Sequence, residues 1–283
     1  SFAVDIEEDY KFMTPAVRLG VSRFLWDITL IRLSYNFEYY YLYGESALGR
    51  EEMEAIGIAS EDGGYRLAYL ELGYRIMLID MRVDETNVAK IIDPKNGAIF
   101  DVIYKIATPY LGGVTQYHDI HPSIRTYWQI FSHLQLACRV ETGLIFPFGH
   151  FEDPTVWTNY FLGGSNTVRG WGGSRLAPRV EYCVEDECDE TRVGGWTMVM
   201  GNVELRAMTI PDLYVVAFFD VGDVQSGVAE YKPEKWNYTA GGGLRYDSPV
   251  GKVRVDFGYR INEPEPDWDE PRWGLHLGLG EAF

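Results

Sequence analysis

The chain has 283 residues, with 42 acidic against 25 basic side chains and a net charge of −17, which argues against a nucleic-acid partner because phosphate binding needs a basic face. Hydrophobic content is 46%, yet no apolar run approaches the ~20 residues of a membrane helix, the longest obvious one being Val215-Val216-Ala217-Phe218-Phe219. A membrane-spanning form must then be a closed barrel of strands, since lipid offers no partner to open backbone groups, and 20 Tyr, 14 Phe, 8 Trp and 30 Gly suit a sheet that meets a membrane interface.

The start, Ser1-Phe2-Ala3-Val4-Asp5, lacks the charged head and apolar core of a signal peptide, as a processed or trimmed N-terminus would. Period-two alternation begins at once: Phe2, Val4 and Ile6 oppose Ala3, Asp5 and Glu7, which predicts a strand over 2–8. Further strands are predicted over 16–25, 28–42, 65–79, 98–109, 121–131, 134–146, 196–208, 213–222, 236–247, 252–261 and 273–283, making twelve, an even number that suits antiparallel closure. The cleanest is Lys252 to Ile261, where Lys252, Arg254, Asp256, Gly258 and Arg260 take one face and Val253, Val255, Phe257, Tyr259 and Ile261 the other. In a barrel the apolar face meets lipid and the polar face a lumen; in a soluble sandwich the sense is reversed, and one strand alone does not decide. Strand after strand, however, the polar face carries both signs of charge, as ion pairs across an enclosed interior require.

Short turns at Trp26-Asp27, Ser132-His133, Ile210-Pro211-Asp212 and 247–251 alternate with long connections at 44–64, 147–195, 223–235 and 262–272, the sidedness of an outer-membrane barrel. The stretch 80–97 is the exception, being long on the short-turn side. Three of the long loops are rich in Glu and Asp and should face outward, where repulsion and solubility explain them; their spacing matches no metal loop. Cys183 and Cys188 lie close together in a polar segment and suit a local disulfide formed in an oxidising compartment, while Cys138 stands in an apolar stretch as an inert packing or lipid-facing residue. The last strand puts Trp273, Leu275, Leu277, Leu279 and Phe283 on one face and Gly274, His276, Gly278, Gly280 and Ala282 on the other. These glycines either weaken a closing strand so that it can gate, or leave room for a loop packed inside the lumen.

Phe161-Leu162-Gly163-Gly164-Ser165-Asn166-Thr167-Val168-Arg169-Gly170-Trp171 resembles the sixth extracellular loop of the BamA/TamA outer-membrane assembly superfamily, which folds back into the barrel and carries Val-Arg-Gly followed by an aromatic. Asp93-Pro94-Lys95-Asn96-Gly97, Phe218-Phe219-Asp220-Val221-Gly222 and the stretch from Gly243 to Gly251 resemble neighbouring segments of that superfamily in the same order. The resemblance runs from about Tyr65 to Phe283, and the chain's final aromatic is similar to the assembly signal of such barrels. It implies an all-β, antiparallel transmembrane β-barrel, a single domain over 1–283, in the bacterial outer membrane, with the Val168–Trp171 loop inside the lumen. It also implies Glu204 and Asp220 as acidic partners of Arg169; both fall on predicted lumen faces, where an unpaired guanidinium would be costly. Gly163, Gly164 and Gly170 permit the tight backbone. Whether Arg169 serves activity or only braces the barrel, the contacts would be the same.

Members of that superfamily usually have sixteen strands preceded by periplasmic POTRA domains; here twelve strands and no POTRA domain are read, so the chain is either a natural short barrel or a trimmed piece. Its expected function is to assemble or translocate outer-membrane proteins or to remodel the membrane, with membrane lipid and outer-membrane protein clients or accessory subunits as partners and no cofactor. The alternative is a structural or transport barrel that keeps the fold without insertase activity. An outer-membrane phospholipase would need a Ser–His pair on the lipid side, and none of His118, His121, His133, His150 and His276 has an obvious serine partner, so no enzymatic activity is expected.

Overall fold

The computed structural model describes residues 6–7, 10–43, 64–79, 94–149, 156–184, 187–248, 251–262, 271–280 and 282. They form fifteen strands: β1 (Ile6–Glu7), β2 (Tyr10–Met13), β3 (Ala16–Leu25), β4 (Thr29–Tyr43), β5 (Gly64–Ile79), β6 (Gly97–Ala107), β7 (Tyr117–Phe131), β8 (Leu134–Pro147), β9 (Arg179–Val184), β10 (Glu187–Arg192), β11 (Thr197–Ile210), β12 (Leu213–Gln225), β13 (Asn237–Ser248), β14 (Gly251–Arg260) and β15 (Trp273–Leu279). All but the β9–β10 hairpin join one antiparallel sheet, in chain order from β4 to β8 and from β11 to β15. β2 pairs with the far end of β4 (Met13↔Tyr41) and β3 with the rest (Ala16↔Glu38), so the two form one wall position. The break falls at Thr14-Pro15: proline has no N–H for the ladder, although its carbonyl still accepts from Tyr39 N at 3.1 Å.

Among the described residues the wall therefore has eleven positions, against the expected twelve. The expected first strand, 2–8, lies largely outside the described residues; its described part, Ile6–Glu7, pairs with β2 as a short hairpin (Ile6↔Lys11). The turns follow the expected sidedness. Trp26 and Asp27 take φ of 52° and 59° and Asp212 takes 66°, the left-handed backbone that tight hairpins demand.

Polarity settles which face meets what. On β11, Asn202 and Glu204 are 2% and 0% exposed, while Val203 and Leu205 between them are 43% and 40% exposed. The largest fully buried side chains include Arg169, Arg245, Arg254 and Arg260, and Leu19, Val21, Leu275 and Leu277 lie on the surface. A soluble sandwich would reverse this; a lipid-facing wall around a polar lumen requires it. Replacing Leu205 with Lys is accordingly expected to cost about 2–4 kcal/mol if the residue sits near the bilayer midplane, read by urea unfolding in lipid vesicles.

Candidate functional site at the lumen loop

Between β8 and β11 the chain turns inward. Leu162 and Leu176 exchange both backbone hydrogen bonds (3.0 and 2.9 Å), closing a loop over 162–176, and Gly164 N donates to Trp171 O at 3.0 Å. Gly163 has φ of +104°, and a Cβ there would lie 2.3 Å from Gly172 O, so no other residue fits that crossing. The loop's apolar residues, Leu162, Val168, Trp171 and Leu176, pack with Met198, Met200 and Val224 from the wall. Burying them fixes the loop's height in the barrel and aims Arg169 at the β11–β14 wall.

Arg169 is 1% exposed and fully engaged. Its Nε and Nη2 donate to the two oxygens of Asp220 at 2.8 and 2.7 Å, its backbone N to Asp220 Oδ2 at 3.1 Å, and its Nη1 to Glu204 Oε1 at 2.5 Å. Asp256 Oδ2 lies 3.6 Å from Nη1, and the guanidinium stands 3.5 Å from the Phe218 ring centroid. Burial disfavours the charge, but the hydrogen bonds and negative charge of Asp220, with Glu204 and Asp256, outweigh it and hold the pKa above the ordinary arginine value. The acids are shared with other cations. Arg206 and Arg245 reach Glu204 at 2.8 and 3.3 Å, and Arg245 reaches Asp256 at 2.5 Å, so three carboxylates face three guanidinium groups. Asn202 completes the ring, donating to Asp220 Oδ1 at 2.8 Å and to Thr167 O of the loop at 2.7 Å.

Strand register explains why the loop can lie so close. Glu204 stands opposite Phe218, Phe218 opposite Gly241, Gly241 opposite Gly258, and Gly258 opposite Gly274. Three glycines thus make one straight trough across β13, β14 and β15. A Cβ at Gly258 would come 2.7 Å from Gly170 N, and one at Gly274 3.2 Å from Gly170 Cα. Gly170 lies in that trough, its N–H donated to His276 Nε2 at 2.9 Å and its carbonyl accepting from Arg260 Nε at 2.9 Å. Arg260 also stacks 3.6 Å from the Trp171 ring centroid.

A barrel wall carrying a buried Val-Arg-Gly-Trp loop invites comparison with known proteins. The Omp85 superfamily domain matches residues 74–283. The chain belongs to the Omp85 superfamily. The outer membrane protein assembly factor BamA of Nitratidesulfovibrio vulgaris is 25% identical over 193 residues, covering 67% of this chain and 23% of that protein. The barrel of BamA from Haemophilus ducreyi lacking POTRA domains 1-3 superposes with a TM-score of 0.70 at 18% identity, over 95% of this chain and 53% of that one. CdiB from Escherichia coli superposes with a TM-score of 0.58 at 12% identity, over 98% of this chain and 47% of that one. The chain thus spans about a quarter of the curated relative and about half of the solved chains. As in those relatives, this Omp85 chain is an outer-membrane β-barrel.

Most site residues expected from sequence converge in this Omp85 barrel. Val168, Arg169, Gly170 and Trp171 are all buried, and Arg169 meets both Glu204 and Asp220. Of the last-strand glycines, Gly274 makes room for the loop and Gly278 for Arg254, whose Nε a Cβ would approach at 2.4 Å, whereas nothing lies within 4 Å of a Cβ at Gly280. For the first two, room is therefore a sufficient reason. Phe283 lies outside the described residues. Cys183 and Cys188 are disulfide-bonded directly across the β9–β10 hairpin, which sequence reading had left as loop, and Cys138 is half-buried.

Three features escaped sequence reasoning. Asp256, Arg206 and Arg245 share the ion network; the alternation of its strand places Asp256 on a lumen face, but not as a partner. His276 and Arg260 hold Gly170. The third is a second anchor on the opposite wall. Trp157 stacks on Tyr40 of β4 with ring centroids 4.5 Å apart, and Tyr160 donates its hydroxyl to Asp119 of β7. Gly143 of β8 leaves space for the Tyr160 ring, which a Cβ would approach at 2.3 Å. The connection between β8 and β11 is thus fastened to both sides of the lumen. Tyr40, Tyr65, Tyr69 and Tyr117, on β4, β5 and β7, pack around Trp157 and Tyr160 and were the available signal.

Proposed function

We propose that this Omp85 barrel assists the insertion or translocation of outer-membrane proteins, or locally disturbs the bilayer to that end, without covalent chemistry. The observation that carries the reading is the contact of the pinned loop with β15. Gly170 is bonded to His276, on a strand that pairs with β14 alone among the described residues, and β3, at the other end of the sheet, pairs with β4 alone. A loop anchored on Arg169 can therefore hold or release the strand beside the seam between β15 and β3, where thinned lipid would lower the barrier for an incoming hairpin. The names of the relatives, an assembly factor among them, support the same reading. Three of the histidines, His118, His121 and His276, are held by Tyr104, Glu141 and Gly170.

The test is reconstitution. Vesicles containing the protein should speed the folding of an urea-denatured outer-membrane barrel several-fold over empty vesicles, and Arg169→Ala should abolish the gain. Equal rates with and without the protein would sink the proposal. The second reading, a transport barrel, makes the opposite forecast in planar bilayers. A lumen crossed by a loop fastened at Tyr160 and Arg169 should conduct poorly until residues 163–172 are deleted. Large steady currents from the intact protein would favour transport.

A further inference from the structure

The ion network on β11 to β14 grips the side chain of Arg169. The next residue, Gly170, is held by a different chemistry: its N–H donates to His276 Nε2 at 2.9 Å. A backbone N–H can only donate, so Nε2 is the bare nitrogen of the ring and the proton of the neutral imidazole sits on Nδ1. The contact between the loop and β15 therefore exists only while His276 is neutral. An imidazolium donates from both nitrogens and accepts at neither, so no ring flip restores the bond. The ring is also confined, lying against Gly274, where a Cβ would stand 3.0 Å from Nε2 and 3.2 Å from Gly170 Cα. It is half-buried and so within reach of solvent protons.

The charged groups around the ring come from four elements. Arg169 belongs to the loop, Arg254, Asp256 and Arg260 to β14, Asp220 to β12 and Arg245 to β13. Three of the cations hold the loop itself. Arg169 anchors it, Arg254 donates to Ser165 at 3.2 Å, and Arg260 takes the carbonyl of Gly170 as His276 takes its N–H. Asp256 stands directly opposite His276 in the β14–β15 register, and side chains so placed on one face lie about 4.5–5.5 Å apart at Cβ. Its Oδ1 is taken by Arg245 at 2.5 Å, while Oδ2, 3.6 Å from Arg169 Nη1, accepts no hydrogen bond. A charge on the ring is thus repelled by the guanidinium groups on the loop side and drawn toward the carboxylate across the strand pair.

We propose that His276 is a proton-operated latch: neutral, it ties Gly170 to β15; protonated, it releases Gly170 and turns toward Asp256. The latch rests on the reading that the seated loop controls the strand beside the seam, and it supplies the regulation of that contact. Carboxylates ordinarily titrate near pH 4 and guanidinium groups above about 12, whereas imidazole titrates near 6.5. The latch is therefore closed above about pH 6.5 and weakens as the pH falls below it. Because Arg169 stays paired with Asp220 and Glu204 over that range, mild acid does not unseat the whole loop. It uncouples the loop from β15.

The experiment follows backbone hydrogen exchange over 169–172 in the nanodisc-embedded protein between pH 7.5 and 5.5, with the intrinsic pH dependence of exchange divided out. Protection in the native protein should fall at least fivefold toward pH 5.5. His276→Gln keeps a neutral acceptor of similar reach and should give a flat profile. His276→Arg, cationic throughout, should be unprotected at both ends of the range. His121, which pairs with Glu141 and packs on Tyr160, is the control, and His121→Gln should keep the native response. A flat profile in the native protein, a native response in His276→Gln, a protected His276→Arg, or a response lost in His121→Gln overturns the proposal. Unchanged heat-modifiability on gels would verify that each variant folds. No client protein enters the measurement, so the latch and the insertion reading fail separately: a titrating latch stands without insertion, and insertion with a flat profile removes the latch alone.

Discussion

Arg169→Ala is expected to lose about 3–5 kcal/mol of stability and to free the loop, the penalty typical of removing one partner from a buried ion pair. The loss is uneven. Glu204 retains Arg206 and Arg245, at 2.8 and 3.3 Å. Asp220 keeps the Asn202 amide at 2.8 Å and the backbone N–H of residue 169 at 3.1 Å but loses both charged arms of its fork. Asp220 is therefore the carboxylate left stranded, and Asp220→Asn in the alanine background should recover part of the loss. Arg169→Lys should fall between wild type and alanine, because a single ammonium cannot span the two oxygens of Asp220 and reach Glu204 as well. Urea unfolding in vesicles measures the energy, and protease cutting within 161–176 reports the loop. The double variant Arg169→Ala/Asp220→Asn should cost clearly less than the sum of the single changes, as coupled residues do. Additive costs, or a loop as protected in the alanine variant as in the native protein, would show that the ion network does not hold it.

Much of this arrangement could be read along single strands and much could not. Period two placed Glu204, Asp220 and Asp256 on lumen faces, because each strand carries its own alternation, and the structure puts all three there fully buried. Which of them meet is a matter of register between strands, and no single strand contains that information. Asp256 was accordingly seen as a lumen residue but not as a member of the Arg169 set. The glycine trough failed to appear for the same reason: Gly241, Gly258 and Gly274 fall in one row only once β13, β14 and β15 are aligned. Of the expected strand at 2–8 only Ile6–Glu7 lies within the described residues; those two residues are extended, as their alternation predicts, but the alternation did not name β2 as their partner. The hairpin at Arg179–Arg192 was hidden by its acids, which read as a solvated loop although Val180, Tyr182 and Val184 alternate within it. Trp157 and Tyr160 sat in a long connection with no periodicity at all, and their partners Tyr40 and Asp119 are on strands far away in sequence.

The trough itself yields the second large effect. Gly258→Val should displace the loop without touching a charge, because a Cβ there would stand 2.7 Å from Gly170 N and 2.9 Å from Arg169 C, both backbone atoms that no rotamer change can move. Overpacking of this kind usually costs about 1–3 kcal/mol, and here the only relief is to lift Gly170 away from His276 and Arg260, lengthening two hydrogen bonds now at 2.9 Å. Lifting Gly170 drags the adjacent Arg169, so the ion network should loosen as well, and the variant should resemble Arg169→Ala in loop proteolysis while keeping every ionisable group. Gly173→Ala is the matched control. Its Cβ meets nothing within 4 Å, and its stability should stay within about 0.5 kcal/mol of wild type. In β15, Gly274→Val presses on Gly170 Cα from 3.2 Å and should act in the same direction as Gly258→Val but more weakly. The order Gly258, then Gly274, then Gly173, in both unfolding energy and protease sensitivity, follows from steric room alone. A closing strand whose glycines served only to weaken its pairing would instead respond to valine at Gly274 by becoming more stable, since β-branched residues favour strands.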